Sequence, residues 1–160
     1  KIFVQKVKNP KQFGVVEFDP RNRVIGIEEK PNKPKSNYAI TGLYFYDNSV
    51  VKKAENVKLS KRGEYEISDI NLQYLKENSL EVEVMNRGIA WLDTGTYENM
   101  SEASGFIQAL ENIQGLKIGC PEEVAWRLGL ISDTQLTNLG ESYLGSEYGE
   151  YLLKLIENQK

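Results

Sequence analysis

The chain has 160 residues, of which 40% are hydrophobic and 27% charged, and its formal net charge is −3. This composition fits one soluble domain or a large part of one, and the weak net charge argues against nucleic acid or an acidic membrane as a partner. The sequence contains no histidine, which excludes Ser-His and Cys-His nucleophile systems and most zinc sites. Any chemistry must therefore use carboxylates, lysine, arginine and, where a metal takes part, a hard ion.

Cys120 is the single cysteine. It cannot form an internal disulfide, which favours a reducing compartment, so we expect a cytoplasmic protein. No apolar run approaches the roughly 20 residues that a bilayer span needs, and no signal-peptide pattern opens the chain. The sequence starts inside an apparent strand, KIFVQKV, without a methionine. We therefore expect it to be the interior part of a longer protein.

Short segments rich in Val, Ile, Phe and Tyr, bounded by Pro, Asn, Asp or Gly, predict strands. They cover residues 2–7, 14–19, 24–29, 38–46, 80–85 and 90–93. Helical spacing predicts helices at residues 49–57, 66–78 and 96–111. The buried stripe of the second helix is predicted to be Ile67, Ile70 and Tyr74. The buried face of the third is predicted to hold Tyr97, Met100, Ala103, Ile107 and Leu110.

From residue 121 onward the chain is predicted to be helical throughout. Pro121 suits a first helical position, and Ser132 followed by Gln135 predicts a capping box. The sequence therefore predicts an α/β fold with a mixed sheet, followed by a helical tail.

Asp93 follows an apolar run in AWLDTGT, and Thr94, Gly95 and Thr96 lead into a helix. Ligands bind at the carboxyl ends of strands in open α/β sheets, and a carboxylate there can hold Mg²⁺ together with phosphates and waters. The alternative is that Asp93 only caps the following helix or satisfies local N–H groups.

Several other residues suit a sugar phosphate. Arg62 and Glu64 lie in a loop before a helix, where a guanidinium can bind phosphate and a carboxylate can bind hydroxyls; the alternative is a solvated charged loop. Gly14 allows close approach of the backbone to a ligand, or is a plain strand start. Tyr44 and Trp91 could form walls for a sugar ring, although aromatic residues in strands are more often core.

Lys30 stands between two glutamates and Pro31, at a predicted strand end. It can neutralise phosphate charge as a point cation. The alternative is a surface salt bridge with Glu28 or Glu29, which would contribute little.

Five ordered motifs, covering essentially the whole chain, resemble the sugar nucleotidyltransferases. They are FGVVEFD (13–19), IEEKPNKPKSNYAITGLYFYD (27–47), RGEYEISDIN (62–71), GIAWLDTGTYENMSEAS (88–104) and QGLKIGCPEEVAWR (114–127). Within that family the chain most resembles the short thymidylyltransferases of dTDP-rhamnose and cell-surface polysaccharide biosynthesis. The resemblance implies a Rossmann-like nucleotide-diphospho-sugar transferase fold, Mg²⁺ as cofactor and a homotetramer. It also implies that the phosphate of glucose 1-phosphate attacks the α-phosphorus of dTTP, giving dTDP-glucose and pyrophosphate.

The resemblance also implies a sugar-phosphate site made of residues from the first four motifs. These are Gly14, Glu29, Lys30, Ile40, Tyr44, Arg62, Glu64 and Trp91. Glu29 is expected to hold glucose hydroxyls, Lys30 and Arg62 to act on the phosphates as catalytic residues, and Asp93 to be one of two carboxylates on Mg²⁺. A phosphate nucleophile needs little deprotonation near pH 7, so the main task is to bring two polyanions together. We therefore expect Glu29, Lys30, Arg62 and Asp93 to converge on one pocket.

The C-terminal motif resembles the region that, in short thymidylyltransferases, helps form a second nucleotide site for feedback control. The candidates are Arg87, Ile118, Glu123, Val124 and Arg127; a helix pair at a subunit interface is the alternative. We accordingly divide the chain into a sugar-phosphate-binding part, residues 1–115, and a helical interface or regulatory region, residues 116–160.

Three features of the family have no counterpart in this sequence: the glycine-rich nucleotide loop, the thymine-reading residues and the second Mg²⁺ carboxylate. We therefore expect the chain to be the C-terminal half of the enzyme and to be inactive alone. Phe13 stands where tyrosine is common in relatives. Two alternatives stay open, namely a non-catalytic oligomerisation or regulatory fragment, and a sister transferase for another base or hexose.

Overall fold

The computed structural model describes residues 1–157 and forms two compact units. The first comprises Lys1–Trp91, and the second begins at Leu92. None of the helices within residues 1–157 combines the length and apolar character that a membrane span requires.

The first unit is built on one five-stranded sheet. Its strands are β1 (Ile2–Lys6), β2 (Gly14–Phe18), β3 (Val24–Glu29), β4 (Tyr38–Tyr44) and β5 (Val82–Val84). They lie in the order β3-β2-β4-β1-β5. The β1–β5 pair is parallel and the other pairs are antiparallel, so the predicted mixed sheet is confirmed.

The first unit also contains two helices, α1 (Ser49–Glu55) and α2 (Ile67–Lys76). Branched aliphatic side chains form the core of the sheet, and Leu72 and Leu75 of α2 pack against them. The buried side chains of α2 include Ser68 and Asn71 beside Ile70 and Tyr74. Ile67 is instead 37% exposed, so the predicted stripe is wrong at that position.

The second unit is helical, as the sequence predicts. Its helices are α3 (Tyr97–Gln114), α4 (Pro121–Arg127), α5 (Asp133–Ser142) and α6 (Glu147–Glu157). A core of Cys120, Trp126, Leu136, Leu152 and Leu155 lies among α4, α5 and α6. The capping box of Ser132 and Gln135 is confirmed at the start of α5.

Two expectations about local structure are wrong. Residues 90–93 form no strand, because no strand within residues 1–157 supplies a ladder of backbone hydrogen bonds to them. In α3, Tyr97 and Met100 are 86% and 49% exposed, whereas Ala103 is buried. The predicted apolar face of α3 is therefore only partly covered within the second unit.

Candidate functional site

Gly14, Glu29 and Ser68 meet where β2, β3 and α2 come together. Gly14 and Glu29 are partners in the antiparallel register of β2 and β3, and the Ser68 hydroxyl donates a hydrogen bond to Glu29 Oε2. A Cβ atom at Gly14 would lie 3.0 Å from both Glu29 Oε2 and Ser68 Oγ. Glycine is thus the residue that leaves room for this hydrogen-bonded pair.

Two residues of β4, Ile40 and Tyr44, lie near the Gly14–Glu29 pair. Ile40 is buried, and its Cδ1 atom would lie 3.2 Å from a Cβ at Gly14. Tyr44 is half-buried, and its burial, together with the negative charge of Glu29, raises its pKa. The structure therefore brings together four of the residues predicted for the sugar, namely Gly14, Glu29, Ile40 and Tyr44.

Lys30 lies directly after β3 in an unusual backbone conformation. Its φ is +41°, in the left-handed region that non-glycine residues seldom adopt, and its N–H donates to the carbonyl oxygen of Phe13 at 3.1 Å. Its side chain is exposed. No ion pair involves Lys30 within residues 1–157. The salt bridge with Glu28 or Glu29 that the sequence allows is therefore not formed.

Arg62 lies in the turn that leads into α2. Its guanidinium contacts Glu64 Oε2 at 2.8 Å and Glu66 Oε1 at 3.4 Å, and Glu66 is the residue just before α2. The turn thus holds Arg62 at the same end of α2 as the Glu29–Ser68 pair. Because two carboxylates already surround the guanidinium, a bound phosphate would have to compete with them.

Trp91 is fixed to the sheet rather than belonging to it. Its indole N–H donates to the carbonyl oxygen of Thr41 at 3.1 Å, and its ring meets Phe13 edge to face with a centroid distance of 5.0 Å. Phe13 and Trp91 therefore pack against each other.

Asp93 belongs to the second unit and is half-buried. The cap of α3 is Thr96, whose hydroxyl accepts from the N–H of Asn99, so the expected alternative of Asp93 as the cap is wrong. Asn99 Nδ2 donates to Asp93 Oδ2 at 3.3 Å. A Cβ at Gly95 would lie 3.4 Å from the same oxygen. Gly95 is thus directly beside this carboxylate, at a distance where a Cβ would be in ordinary van der Waals contact.

A metal ion at Asp93 would need ligands in addition to this side chain. Within residues 1–157, no group of three or more His, Cys, Asp or Glu side chains could hold a metal. One carboxylate completed by phosphates and waters is nevertheless an ordinary arrangement for Mg²⁺. Asp93, half-buried and with Asn99 as a hydrogen-bond donor to one oxygen, therefore fits a single-carboxylate contribution.

The residues predicted for a second nucleotide site fall in both units. Arg87 lies in an exposed turn of the first unit, and Ile118 and Val124 are exposed in the second. Glu123 is buried; its Oε1 accepts from Arg127 Nε at 2.7 Å and its Oε2 from the Tyr151 hydroxyl. Both oxygens of this carboxylate are therefore occupied.

An open groove lies beside these residues in the second unit. It has a volume of about 610 Å³, and Glu123 and Val124 line it together with Cys120 and Leu130. Its walls are mainly apolar and combine with a few polar groups, as in many small-molecule sites. The groove could therefore hold a small ligand.

Two buried polar residues of α2 were missed by the sequence reasoning. Ser68 is 2% exposed and Asn71 is fully buried. The Asn71 Oδ1 atom accepts from the Tyr46 hydroxyl at 2.5 Å, whereas its Nδ2 atom has no partner within residues 1–157. The available signal was a pair of small polar residues three apart, within a helix that is otherwise apolar on its inner face.

Comparisons with known proteins show which family the chain belongs to. The model of the family described as nucleotidyl transferase matches residues 1–109. Glucose-1-phosphate thymidylyltransferases from Neisseria meningitidis and Mycolicibacterium smegmatis are 53% and 51% identical to this chain over 98% and 99% of its length. The matches cover 54% and 55% of those proteins. The chain thus spans about half the length of the curated relatives it matches.

A solved structure gives the same result. It is a crystal structure of a Bacillus anthracis protein assigned as a glucose-1-phosphate thymidylyltransferase, in complex with sucrose. It is 42% identical, with a TM-score of 0.58, and the match covers 66% of this chain and 42% of that one. The expected fold class and the resemblance to sugar nucleotidyltransferases are confirmed. The chain belongs to the nucleotidyl transferase family.

Proposed function

We propose that this chain is the sugar-phosphate-binding part of an enzyme that condenses dTTP with glucose 1-phosphate, giving dTDP-glucose and pyrophosphate. The observation that carries the proposal is the cluster of Gly14, Glu29, Ile40 and Tyr44. It presents a carboxylate with one occupied oxygen beside an aromatic ring and a glycine backbone. A carboxylate oxygen can accept from neighbouring sugar hydroxyls, and glycine at position 14 leaves the space that the Glu29–Ser68 pair occupies.

The phosphate of the substrate would be bound by two cations of the first unit, Lys30 and Arg62. Lys30 follows Glu29 directly and has no ion-pair partner within residues 1–157. Arg62 would exchange one of its carboxylate partners for a phosphate oxygen, with Glu64 beside it. Together they would reduce the repulsion between two polyanionic substrates.

Asp93 would contribute one carboxylate to Mg²⁺, which supplies charge neutralisation at the phosphates when bound. The support is a half-buried carboxylate whose only hydrogen-bond donor within residues 1–157 is Asn99. Within the first unit, Trp91 would line the sugar site, held on the sheet by its hydrogen bond to the carbonyl oxygen of Thr41.

The finer expectations are part of the same proposal. They are a cytoplasmic homotetramer, a sugar-phosphate part at residues 1–115, and a regulatory or interface region at residues 116–160. Glu123 and Val124 support the regulatory role because they line the apolar groove of the second unit. The base and the hexose are the points at which a sister transferase would differ.

Calorimetry with glucose 1-phosphate tests the proposal. We expect the chain to bind it at millimolar concentration, and Glu29→Gln to weaken binding about tenfold, because one charge-assisted hydrogen bond is lost. The matched control is Glu28→Gln. Glu28 is the exposed neighbour of Glu29. It lies on the other side of the sheet, because successive strand side chains point to opposite faces. Absence of heat with the unmodified chain, or equal losses in the two variants, would contradict the proposal.

A further inference from the structure

We propose that Ser68 is a positioning residue that fixes the carboxylate of Glu29 so that one oxygen faces the sugar. This inference rests on the proposed function and adds to it a residue that acts through Glu29 rather than on the substrate.

The hydroxyl of Ser68 is not used by its own helix. Serine near a helix start most often caps it by accepting from a backbone N–H, yet Ser68 is already the second residue of α2. Its hydroxyl instead donates to Glu29 Oε2, on a strand 39 residues away in sequence. The hydrogen bond therefore joins α2 to the end of β3.

Ser68 differs from the apolar inward-facing residues of its helix. Leu72 and Leu75 pack against the aliphatic core of the sheet, whereas Ser68, at 2% exposure, meets a carboxylate. A buried hydroxyl without a partner would be costly, so serine at this position requires the acceptor that Glu29 supplies.

The bond also determines which way the carboxylate faces. A glutamate side chain has three rotatable bonds, and fixing Oε2 against Ser68 fixes the direction of Oε1. No donor within residues 1–157 reaches Oε1, so this oxygen is free to accept from a ligand hydroxyl. Gly14 keeps the arrangement tight, since a Cβ there would lie 3.0 Å from both partners. Such orientation before binding is what makes a polar contact effective.

The test compares Ser68→Ala and Ser68→Cys, which remove or weaken the donor, with Ser68→Thr, which keeps a hydroxyl. The first readout needs no ligand: NMR scalar couplings of the Glu29 side chain report whether it occupies one rotamer. The second is calorimetry with glucose 1-phosphate and with inorganic phosphate, which has no sugar hydroxyls to contact Glu29. Circular dichroism checks that each variant is folded, and the cysteine variant serves if the alanine variant is not.

We expect a single Glu29 rotamer in the unmodified chain and in Ser68→Thr, and averaged couplings in Ser68→Ala and Ser68→Cys. Affinity for glucose 1-phosphate should fall roughly three- to tenfold in the latter two, while affinity for inorganic phosphate stays the same.

Two outcomes separate this inference from the proposed function. If Ser68→Ala keeps both the single rotamer and the affinity, Ser68 does not position Glu29. If the unmodified chain fails to bind glucose 1-phosphate while the couplings behave as expected, the fixing of Glu29 by Ser68 is supported and the sugar phosphate is the wrong ligand.

Discussion

Each unit of the molecule contains a glutamate that accepts a hydrogen bond from a hydroxyl of another element. Glu29 of the sheet unit is half-buried, and Glu123 of the helical unit is buried. In the sheet unit, Ser68 donates to one oxygen of Glu29, and the other oxygen has no donor within residues 1–157. In the helical unit, Tyr151 donates to one oxygen of Glu123 and Arg127 donates to the other. The two carboxylates thus differ in whether any acceptor capacity is left.

This difference separates a structural carboxylate from one that can bind a ligand. A buried acceptor that is fully paired stabilises the fold, and removing it leaves its former donors unsatisfied. A carboxylate that is held at one oxygen and open at the other is oriented yet still able to accept. We therefore expect substitutions in the helical unit to act on stability and those at Glu29 to act on binding.

Among the substitutions considered, one at Gly149 should disturb the packing of the helical unit most. A Cβ there would lie 2.4 Å from the carbonyl oxygen of Tyr143 and 2.8 Å from that of Gly140. Both are backbone atoms, so α6 would have to move away from α5. We expect Gly149→Ala to lower the free energy of unfolding, measured by urea denaturation, by about 3 kcal/mol or more.

The matched control for Gly149 is Gly105→Ala in α3, because no atom lies within 4 Å of a Cβ built at Gly105. Alanine has the higher helix propensity, so this variant should be unchanged or more stable by up to about 1 kcal/mol. Equal effects of the two variants would mean that close approach of α5 and α6 is not required.

The comparison of the two carboxylates is tested directly by Glu123→Gln and Glu29→Gln. Glu123→Gln removes the charge opposite Arg127 and should lower the free energy of unfolding by about 1–3 kcal/mol, with unchanged affinity for glucose 1-phosphate. Glu29→Gln should weaken binding with little effect on unfolding. Urea denaturation measures the free energy of unfolding of each variant, and calorimetry measures its affinity for glucose 1-phosphate.

The reverse result is informative as well. If both variants lowered stability alone, Glu29 would be a structural residue like Glu123. If both lowered affinity, the helical unit would contribute to sugar-phosphate binding, and the division of roles between the two units would be wrong.

The architecture follows from patterns in the sequence, because local periodicity decides it. Alternating apolar residues gave the first five strands to within a few residues, and helical spacing and the Ser132 capping box gave the tail. Residues 90–93 have the composition of a strand, but a strand also needs a neighbour to pair with, and composition does not reveal the neighbour.

The site was predictable only where its residues come together through local pairing. The motifs led to Gly14 and Glu29, which are adjacent partners in a hairpin and so are close through local pairing. Ser68 was missed because helical periodicity counts apolar residues, which predicts Ile67 on the buried stripe and says nothing of Ser68. In the structure Ser68 is buried and Ile67 is 37% exposed. The acceptor of Ser68 lies 39 residues away, and single-sequence patterns do not record such long-range pairs.

The smallest expected effect on stability comes from ionisation of the Tyr151 hydroxyl, which donates to Glu123. Burial, and next the hydrogen bond to Glu123, raise the pKa of Tyr151 to about 12, compared with about 10 for an unperturbed tyrosine. As the pH rises, the unfolded chain therefore loses this proton first. The stabilisation from Tyr151 should be fully present below about pH 10 and be lost by about pH 12, at no more than about 1.4 kcal/mol per pH unit.

Tyr151→Phe isolates this contribution from the other tyrosines. The difference in unfolding free energy between the unmodified chain and Tyr151→Phe should be constant up to about pH 10 and then shrink. A difference that stays constant through this window would mean that the phenol ionises alike in both states, and that Glu123 is not held as tightly as its contacts indicate. Glu123 would then be able to accept a further hydrogen bond, as Glu29 is. The two carboxylates would no longer differ in the way that separates a structural role from ligand binding.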